Sequence, residues 1–125
     1  MSEILVDNLT GKTTANDITV TVGSSATMSL EQGLAKCWGN WRHATNTYSD
    51  SFGISSGVDD GTGDYTHNFT NNTTNSDYVS QISLTNNINQ WWTNSQTTSN
   101  FGSRTYTGSA SSDENHLVSI LGDLA

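Results

Sequence analysis

Two adjacent tryptophans, Trp91 and Trp92, give the clearest indication in this sequence of what its side chains could do chemically. Neighbouring side chains of a strand point to opposite faces, so only one of these rings can join a given core. The other must meet solvent, another subunit or a ligand. Exposed indole rings pack against sugar rings, and amides bind sugar hydroxyls. With Asn94, Arg104 and Tyr106 close by in sequence, the pattern predicts a surface patch that binds a receptor or glycan.

Arg104 is the only cation of this segment, and its guanidinium could bind a carboxylate or phosphate of a cell-surface glycan. A different interpretation stays open at this point. One tryptophan would then belong to the core and the other to a subunit interface, and the surrounding asparagines would serve as turn formers.

Oxygen donors and histidines suggest two metal sites, and neither is favoured. Asp59, Asp60, Thr62 and Asp64 offer oxygen ligands of the kind that calcium prefers, but Asp and Gly at 58–63 are equally typical of a hairpin turn. No glutamate follows at the spacing of a helix-loop-helix calcium loop. The sequence therefore favours the turn.

Three histidines and one cysteine could in principle bind zinc: His43, His67, His116 and Cys37. Their spacings fit no compact zinc pattern. His67 shares a strand face with Tyr65 and Phe69, because these positions differ by two. We therefore expect a strand-face histidine, no bound metal and no cofactor.

Catalytic patterns are weak in this chain. Glycoside cleavage needs two carboxylates held across a groove, and the aspartates can be paired only arbitrarily. No Gly-x-Ser-x-Gly element is present. The sequence therefore predicts a protein that is not an enzyme, and a polysaccharide-cleaving enzyme is kept only as an alternative.

Composition favours a single, all-β domain with a small core. The chain has 125 residues, and Thr, Ser, Asn and Gly supply 62 of them. Segments such as Ile18–Val22 and Ser51–Ser55 alternate apolar and polar residues, which is typical of half-buried strands. We expect an N-terminal strand-rich oligomerisation arm over residues 1–36, followed by a small antiparallel β-sandwich over 37–125. Such a small apolar content favours completing the core by oligomerisation.

Apolar residues of the arm are too few to form their own core. We expect them to meet the same residues of other subunits at a symmetry axis. The predicted interface residues are Ile18, Val20, Val22, Met28, Leu30 and Leu34.

Charge excludes two classes of partner. The net charge is −8, and no Lys or Arg occurs between residues 43 and 103. Such a chain repels phosphate backbones and has no basic amphipathic segment, so neither nucleic-acid binding nor membrane insertion is expected. The first residues lack the pattern of a signal peptide, and the single cysteine fits synthesis in a reducing cytoplasm.

Three segments resemble short tail-fibre-like proteins of tailed marine phages. Residues Ile4 to Ala15 with the strand Asp17–Val20 resemble the N-terminal region of that family, and Leu30–Lys36 with Trp38 resembles its joint. Ser51–Ser55, Asp60–Tyr65 and Asn68–Thr70 resemble its central hairpin. The match covers roughly residues 3 to 72, with the three blocks in the family's order.

The resemblance implies a homotrimeric virion protein, a tail fibre or fibre tip. Its N-terminus would attach to other virion tail or capsid proteins, and its distal β-domain would face the host. After synthesis in the host cytoplasm it would be found in the virion, where it would mediate attachment to a host-surface glycan or protein receptor. The alternative in the same class is a capsid or baseplate decoration protein without a receptor role.

Overall fold

A computed structural model describes residues 5–10, 18–22, 24–30, 33–85 and 89–122, with the backbone alone at residues 22 and 89–92. The described residues form strands that are joined by turns and loops, and a short 3-10 turn lies at His43–Thr45. None of the helical structure in these ranges is long or apolar enough to cross a membrane. The strands are β1 Thr19–Val22, β2 Ala26–Ser29, β3 Ala35–Arg42, β4 Thr47–Phe52, β5 Ile54–Gly61, β6 Asp64–Phe69, β7 Val79–Leu84, β8 Asn89–Gln96, β9 Asn100–Thr107, β10 Ala110–Ser111 and β11 His116–Leu121.

The strands form one hairpin and two larger sheets, and all pairings are antiparallel. The hairpin is β1-β2. One sheet has the order β4-β3-β11-β7, and the other has the order β10-β9-β6-β5, with β8 also paired to β9. The antiparallel sheets pack together. The predicted all-β fold is confirmed.

The core lies between the two larger sheets and follows the period-two alternation of their strands. In β6 the buried residues are Tyr65, His67 and Phe69, and the residues between them are half-buried. The expectation that His67 shares a strand face with Tyr65 and Phe69 is therefore confirmed. The buried apolar cluster consists of Cys37, Phe69, Tyr78, Ile82, Phe101, Val118 and Ile120.

The predicted strand Ser51–Ser55 is wrong as a single element, because the chain changes sheets in its middle. Phe52 ends β4 in one sheet and Ile54 begins β5 in the other. Gly53 makes this corner at φ +69°, and a Cβ there would lie 2.7 Å from the backbone oxygen of Lys36. Glycine is suited to this position on both grounds.

The predicted turn at 58–63 is also too long. Strand β5 continues to Gly61, Asp59 pairs with Tyr65, and only residues 62–63 form the turn. Asp and Gly are typical of turns, but here pairing of Val58, Asp59 and Gly61 with β6 keeps this segment in the strand.

A glycine on β5 makes room for the largest core side chain. Trp41 of β3 is fully buried, and a Cβ at Gly57 would clash with its six-membered ring. The tryptophan therefore reaches across from one sheet to the backbone of the other, which sets the local spacing of the two sheets.

The N-terminal arm begins with the β1-β2 hairpin, in which Val20 pairs with Met28. Leu30 donates its backbone N–H to Ile18 O at 2.7 Å and extends the hairpin by one contact. Strand β3 starts at Ala35, so the last two residues of the predicted arm already belong to the sandwich.

Candidate functional site

Two residues of the predicted binding patch meet at an aspartate that the sequence prediction left out of the patch. Arg104 Nη2 donates to Asp64 Oδ2 at 2.8 Å, and Asn94 Nδ2 donates to Asp64 Oδ1 at 2.8 Å. The three side chains come from β9, β6 and β8, so the contact ties three strands together on the side of the sheet away from the core. Hydrogen bonds to Asp64 first, and then to Tyr106, raise the pKa of Arg104 above its ordinary value.

Local backbone geometry allows Asn94 to reach this aspartate. The register between β8 and β9 shifts between Thr93 and Ser95, which makes Asn94 the extra residue of a bulge. Its side chain lies over Gly102, where a Cβ would overlap the Asn94 amide. Gly102 is therefore the position that lets Asn94 cross over β9 toward Asp64.

The two tryptophans of the predicted patch belong to β8. In the backbone register, Trp92 pairs with Arg104 and Trp91 with Thr105. Their side chains lie outside the described part of the chain, so the prediction that one of them faces outward stays a prediction. Tyr106, the remaining residue of the patch, is half-buried on β9.

Polar groups line this side of the sheet next to the bulge. A surface cavity of about 250 Å³ is lined by Thr93, Asn94, Ser95 and Gln96. Further along the same sheet face, Thr66 donates to Asp60 and Asn68 donates to Ser56. With the charge of Arg104 balanced by Asp64, the surface offers hydroxyl and amide groups rather than a free cation. Such a surface suits a neutral, hydroxyl-rich ligand better than an anionic one.

A second group of polar residues lies buried between the sheets. His67 and Ser103 come from the five-stranded sheet, and Tyr48 and His116 from the four-stranded sheet. His67 Nε2 is 2.9 Å from Ser103 Oγ and 3.3 Å from His116 Nε2. Ser103 Oγ is 3.3 Å from His116 Nε2, and His67 Nδ1 is hydrogen-bonded to the Tyr48 hydroxyl. We call these four residues the histidine network.

One arrangement of protons satisfies the whole histidine network with neutral rings. His116 Nδ1 donates to the backbone oxygen of Glu114 at 2.9 Å, so its Nε2 holds a lone pair. A second lone pair on the facing Nε2 of His67 would repel it. His67 therefore donates from Nε2 to Ser103, and Ser103 donates to His116. Tyr48 donates to His67 Nδ1, which closes the chain of donors.

Burial keeps both imidazoles neutral. Desolvation, followed by the proximity of His116, lowers the pKa of His67 from 6.5 to about 3. Desolvation lowers the pKa of His116 from 6.5 to about 4, although its hydrogen bond to Glu114 opposes the shift. Burial raises the pKa of the Tyr48 hydroxyl, so this donor also stays protonated. The network links the two sheets through hydrogen bonds without a buried charge.

In the histidine network, Ser103 lies between two imidazoles, as a catalytic nucleophile lies beside a base. The burial of the network argues against a catalytic role. His67, Ser103 and His116 are all fully buried, so a substrate cannot reach the serine. The sequence prediction missed this network. Period-two alternation could have placed all three residues on core-facing positions, but it could not bring β6, β9 and β11 to the same point.

His43 lies at the rim of the sandwich between two carboxylates. Its Nδ1 is 3.8 Å from Asp59 Oδ2, and its Nε2 is 3.7 Å from Asp113 Oδ2. Tyr65 donates to Asp113 Oδ1 at 3.4 Å and accepts the backbone N–H of Glu114 at 3.1 Å. The cluster fixes the loop before β11 against β5 and β6.

The side chains considered as metal ligands have other partners. Asp60 accepts from Thr66, Asp64 binds Arg104, and Asp59 accepts the backbone N–H of Gly61 at 3.1 Å. Cys37 is buried in the core. Within the ranges that the structure describes, no group of three or more His, Cys, Asp or Glu side chains is placed to hold a metal ion.

Large apolar side chains of the arm remain exposed in the isolated chain. Met28 and Leu34 are each 48% exposed, while Ile18, Val20 and Leu30 are half-buried. Val22, the sixth predicted interface residue, has no described side chain. The arm thus places apolar residues where a second subunit could cover them.

Comparison with family models, with curated proteins and with solved structures finds no match to this chain.

Proposed function

We propose that this chain is a phage virion structural protein, a tail fibre or fibre tip that attaches to the host cell surface as a homotrimer. The observation that carries the proposal is the apolar surface of the arm, which the isolated chain leaves uncovered. Leu5, Val6 and Leu9 add to it, with exposed fractions of 57% or more. A stable small domain needs a partner for such a surface, and the resemblance of residues 3 to 72 supplies the virion context.

The arm provides the attachment to other virion tail or capsid proteins, and the sandwich provides the host-facing surface. The patch around Asp64, Asn94 and Arg104 supports binding of a neutral glycan through hydroxyl and amide groups. A protein receptor is the other ligand class that fits this role. Ser103 is fully buried, so this serine does not support a catalytic role.

Adsorption competition tests the attachment role. The purified chain, added to host cells before the phage, should reduce adsorption. Trp91→Ala, Trp92→Ala and Arg104→Ala are compared separately, each checked for folding and oligomeric state. Loss of competition in one folded variant supports the patch, and full competition by all three places the receptor site elsewhere.

Absence of any competition by the wild-type chain would favour the decoration protein. Particles that still carry the chain after deletion of residues 1–36 would contradict the mounting role of the arm. Release of reducing ends from host polysaccharide would show a sugar-cleaving enzyme and contradict the binding role.

Val20→Asp tests the arm directly. Val20 is half-buried opposite Met28, so the substitution would place an unpaired charge in the proposed interface. A variant that stays trimeric with an unchanged melting temperature would show that the arm does not lie in the interface.

A further inference from the structure

The outer surface of the four-stranded sheet carries large apolar side chains that face away from the core. Trp38 of β3 is 40% exposed, and Phe52 of β4, directly opposite it in the register, is 59% exposed. Leu117 of β11 is 43% exposed, and Val79 of β7 is 57% exposed. We call these four residues the apolar face.

The register makes the apolar face continuous. Ser119 pairs with Trp38, so Leu117, two residues along β11, is a diagonal neighbour of the tryptophan. Diagonal neighbours are about 7–8 Å apart at Cα, within reach of aromatic side chains. On the other side of Ser119, half-buried Leu121 pairs with Val79. The apolar residues therefore run across all four strands.

Two features place a second copy of the chain on this face. The first is charge, because copies that share a net charge of −8 repel one another wherever their acidic groups meet. The four strands behind the apolar face carry Lys36 and Arg42 against Asp50, and the loop before β7 adds Asp77, so this sheet has no excess of negative charge. The five-stranded sheet has a single arginine, Arg104. The described acidic residues of this sheet and of the loop before β11 outnumber it. They are Asp59, Asp60, Asp64, Asp113 and Glu114.

The second feature is continuity with the arm. Leu34, the last predicted interface residue, lines one cavity of about 350 Å³ together with Phe52 of the apolar face. Another cavity, of about 330 Å³, lies between β7 and β11 and is lined by Gln81, Ser83, Leu117 and Ser119 among others. The first joins the apolar face to the arm, and the second offers a recess for a side chain of a neighbouring copy.

We propose that the apolar face packs against other copies of this chain and forms the subunit interface of the sandwich domain. The inference rests on the proposed homotrimer and adds the surface through which its sandwiches associate. The apolar face, with Trp38, Phe52 and Leu117, lies toward the shared axis. The five-stranded sheet, which we call the acidic sheet, lies on the outside with the Asp64 patch. This arrangement removes apolar surface from water and keeps the acidic groups of the subunits apart.

A matched pair of cysteine variants tests the interface. Leu117 on the apolar face and Val58 on the acidic sheet are each 43% exposed in the isolated chain, so Leu117→Cys and Val58→Cys start from equal accessibility. The native Cys37 is buried, and burial raises its thiol pKa to about 12, so it contributes little background.

In the assembled protein, the thiol of Leu117→Cys should react with a thiol reagent at least about tenfold more slowly than that of Val58→Cys, a ratio that corresponds to about 1.4 kcal/mol. Leu117→Glu should dissociate the trimer into folded monomers, whereas Val58→Glu should leave it intact. Circular dichroism distinguishes dissociation from unfolding, and the cysteine pair gives the answer even where the glutamate variant does not fold.

The outcomes separate the two proposals. A wild-type chain that is monomeric at micromolar concentration overturns the homotrimer and this interface with it. If the wild type is trimeric and the cysteines of the two variants react at equal rates, the proposed interface on the apolar face is overturned and the homotrimer is not.

Discussion

Acidification should destabilise this protein through its buried histidine network. His67 and His116 stay neutral in the folded chain, whereas each ring titrates near pH 6.5 once it is exposed. Between the folded and unfolded pKa values, the unfolded chain binds more protons. The free energy of unfolding therefore rises with pH in that window and falls as the pH is lowered through it.

The pKa shifts set the size of the effect. Each imidazole loses about 1.4 kcal/mol of its contribution for every pH unit below 6.5, until the folded-state pKa of about 3 or about 4 is reached. At pH 5 this amounts to about 2 kcal/mol for each ring and about 4 kcal/mol for the pair. A small domain has about 5–15 kcal/mol of stability in total. A loss of about 4 kcal/mol is therefore a large fraction of the stability, and it occurs before the histidines become protonated in the folded state.

Urea denaturation followed by tryptophan fluorescence at pH 8, 7, 6 and 5 measures this loss. The protein concentration is held constant, because the stability of an oligomer depends on it. His67→Gln with His116→Gln removes both titrating rings, and this variant should be less stable at pH 8 but nearly insensitive to pH between 7 and 5. His43→Gln is the control variant, since it removes a histidine that is partly exposed at the rim and lies outside the histidine network.

A wild-type unfolding free energy that stays constant from pH 8 to pH 5 would refute the reasoning. So would an equal pH dependence in the wild type and the double glutamine variant, because the titrating groups would then lie elsewhere.

Three further predictions concern the core. Ile120→Ala removes a fully buried side chain and should lower the free energy of unfolding by about 2–5 kcal/mol in urea denaturation; a loss near zero would contradict its core position. Gly57→Val would press against Trp41 and should lower the free energy of unfolding by about 1–3 kcal/mol or more, which a lower melting temperature would show. An unchanged melting temperature would show that the two sheets can move apart freely. Cys37 should resist thiol reagents at pH 8 and react fully in urea, and rapid labelling of the native protein would contradict its burial and its raised pKa of about 12.

Period-two alternation carried most of the successful sequence prediction. It placed Tyr65, His67 and Phe69 on one face of β6, and the short, polar-rich strands indicated an all-β fold. The sequence prediction did not separate Trp38 from Trp41, although positions three apart lie on opposite faces of a strand. In the structure Trp41 is fully buried and Trp38 is exposed.

What sequence could not provide was pairing between distant strands. Gly53 looked like the middle of an alternating strand, yet the chain turns there from one sheet to the other. The partnership of Arg104 with Asp64 joins positions 40 residues apart. Both depend on which strands become neighbours, and local patterns do not determine that.

The most direct test of the central claim is the mass of the purified chain in solution, measured by sedimentation equilibrium at micromolar concentration. The account predicts a single species with three times the 13.5 kDa mass of the chain. A stable, folded species of 13.5 kDa at that concentration would contradict it.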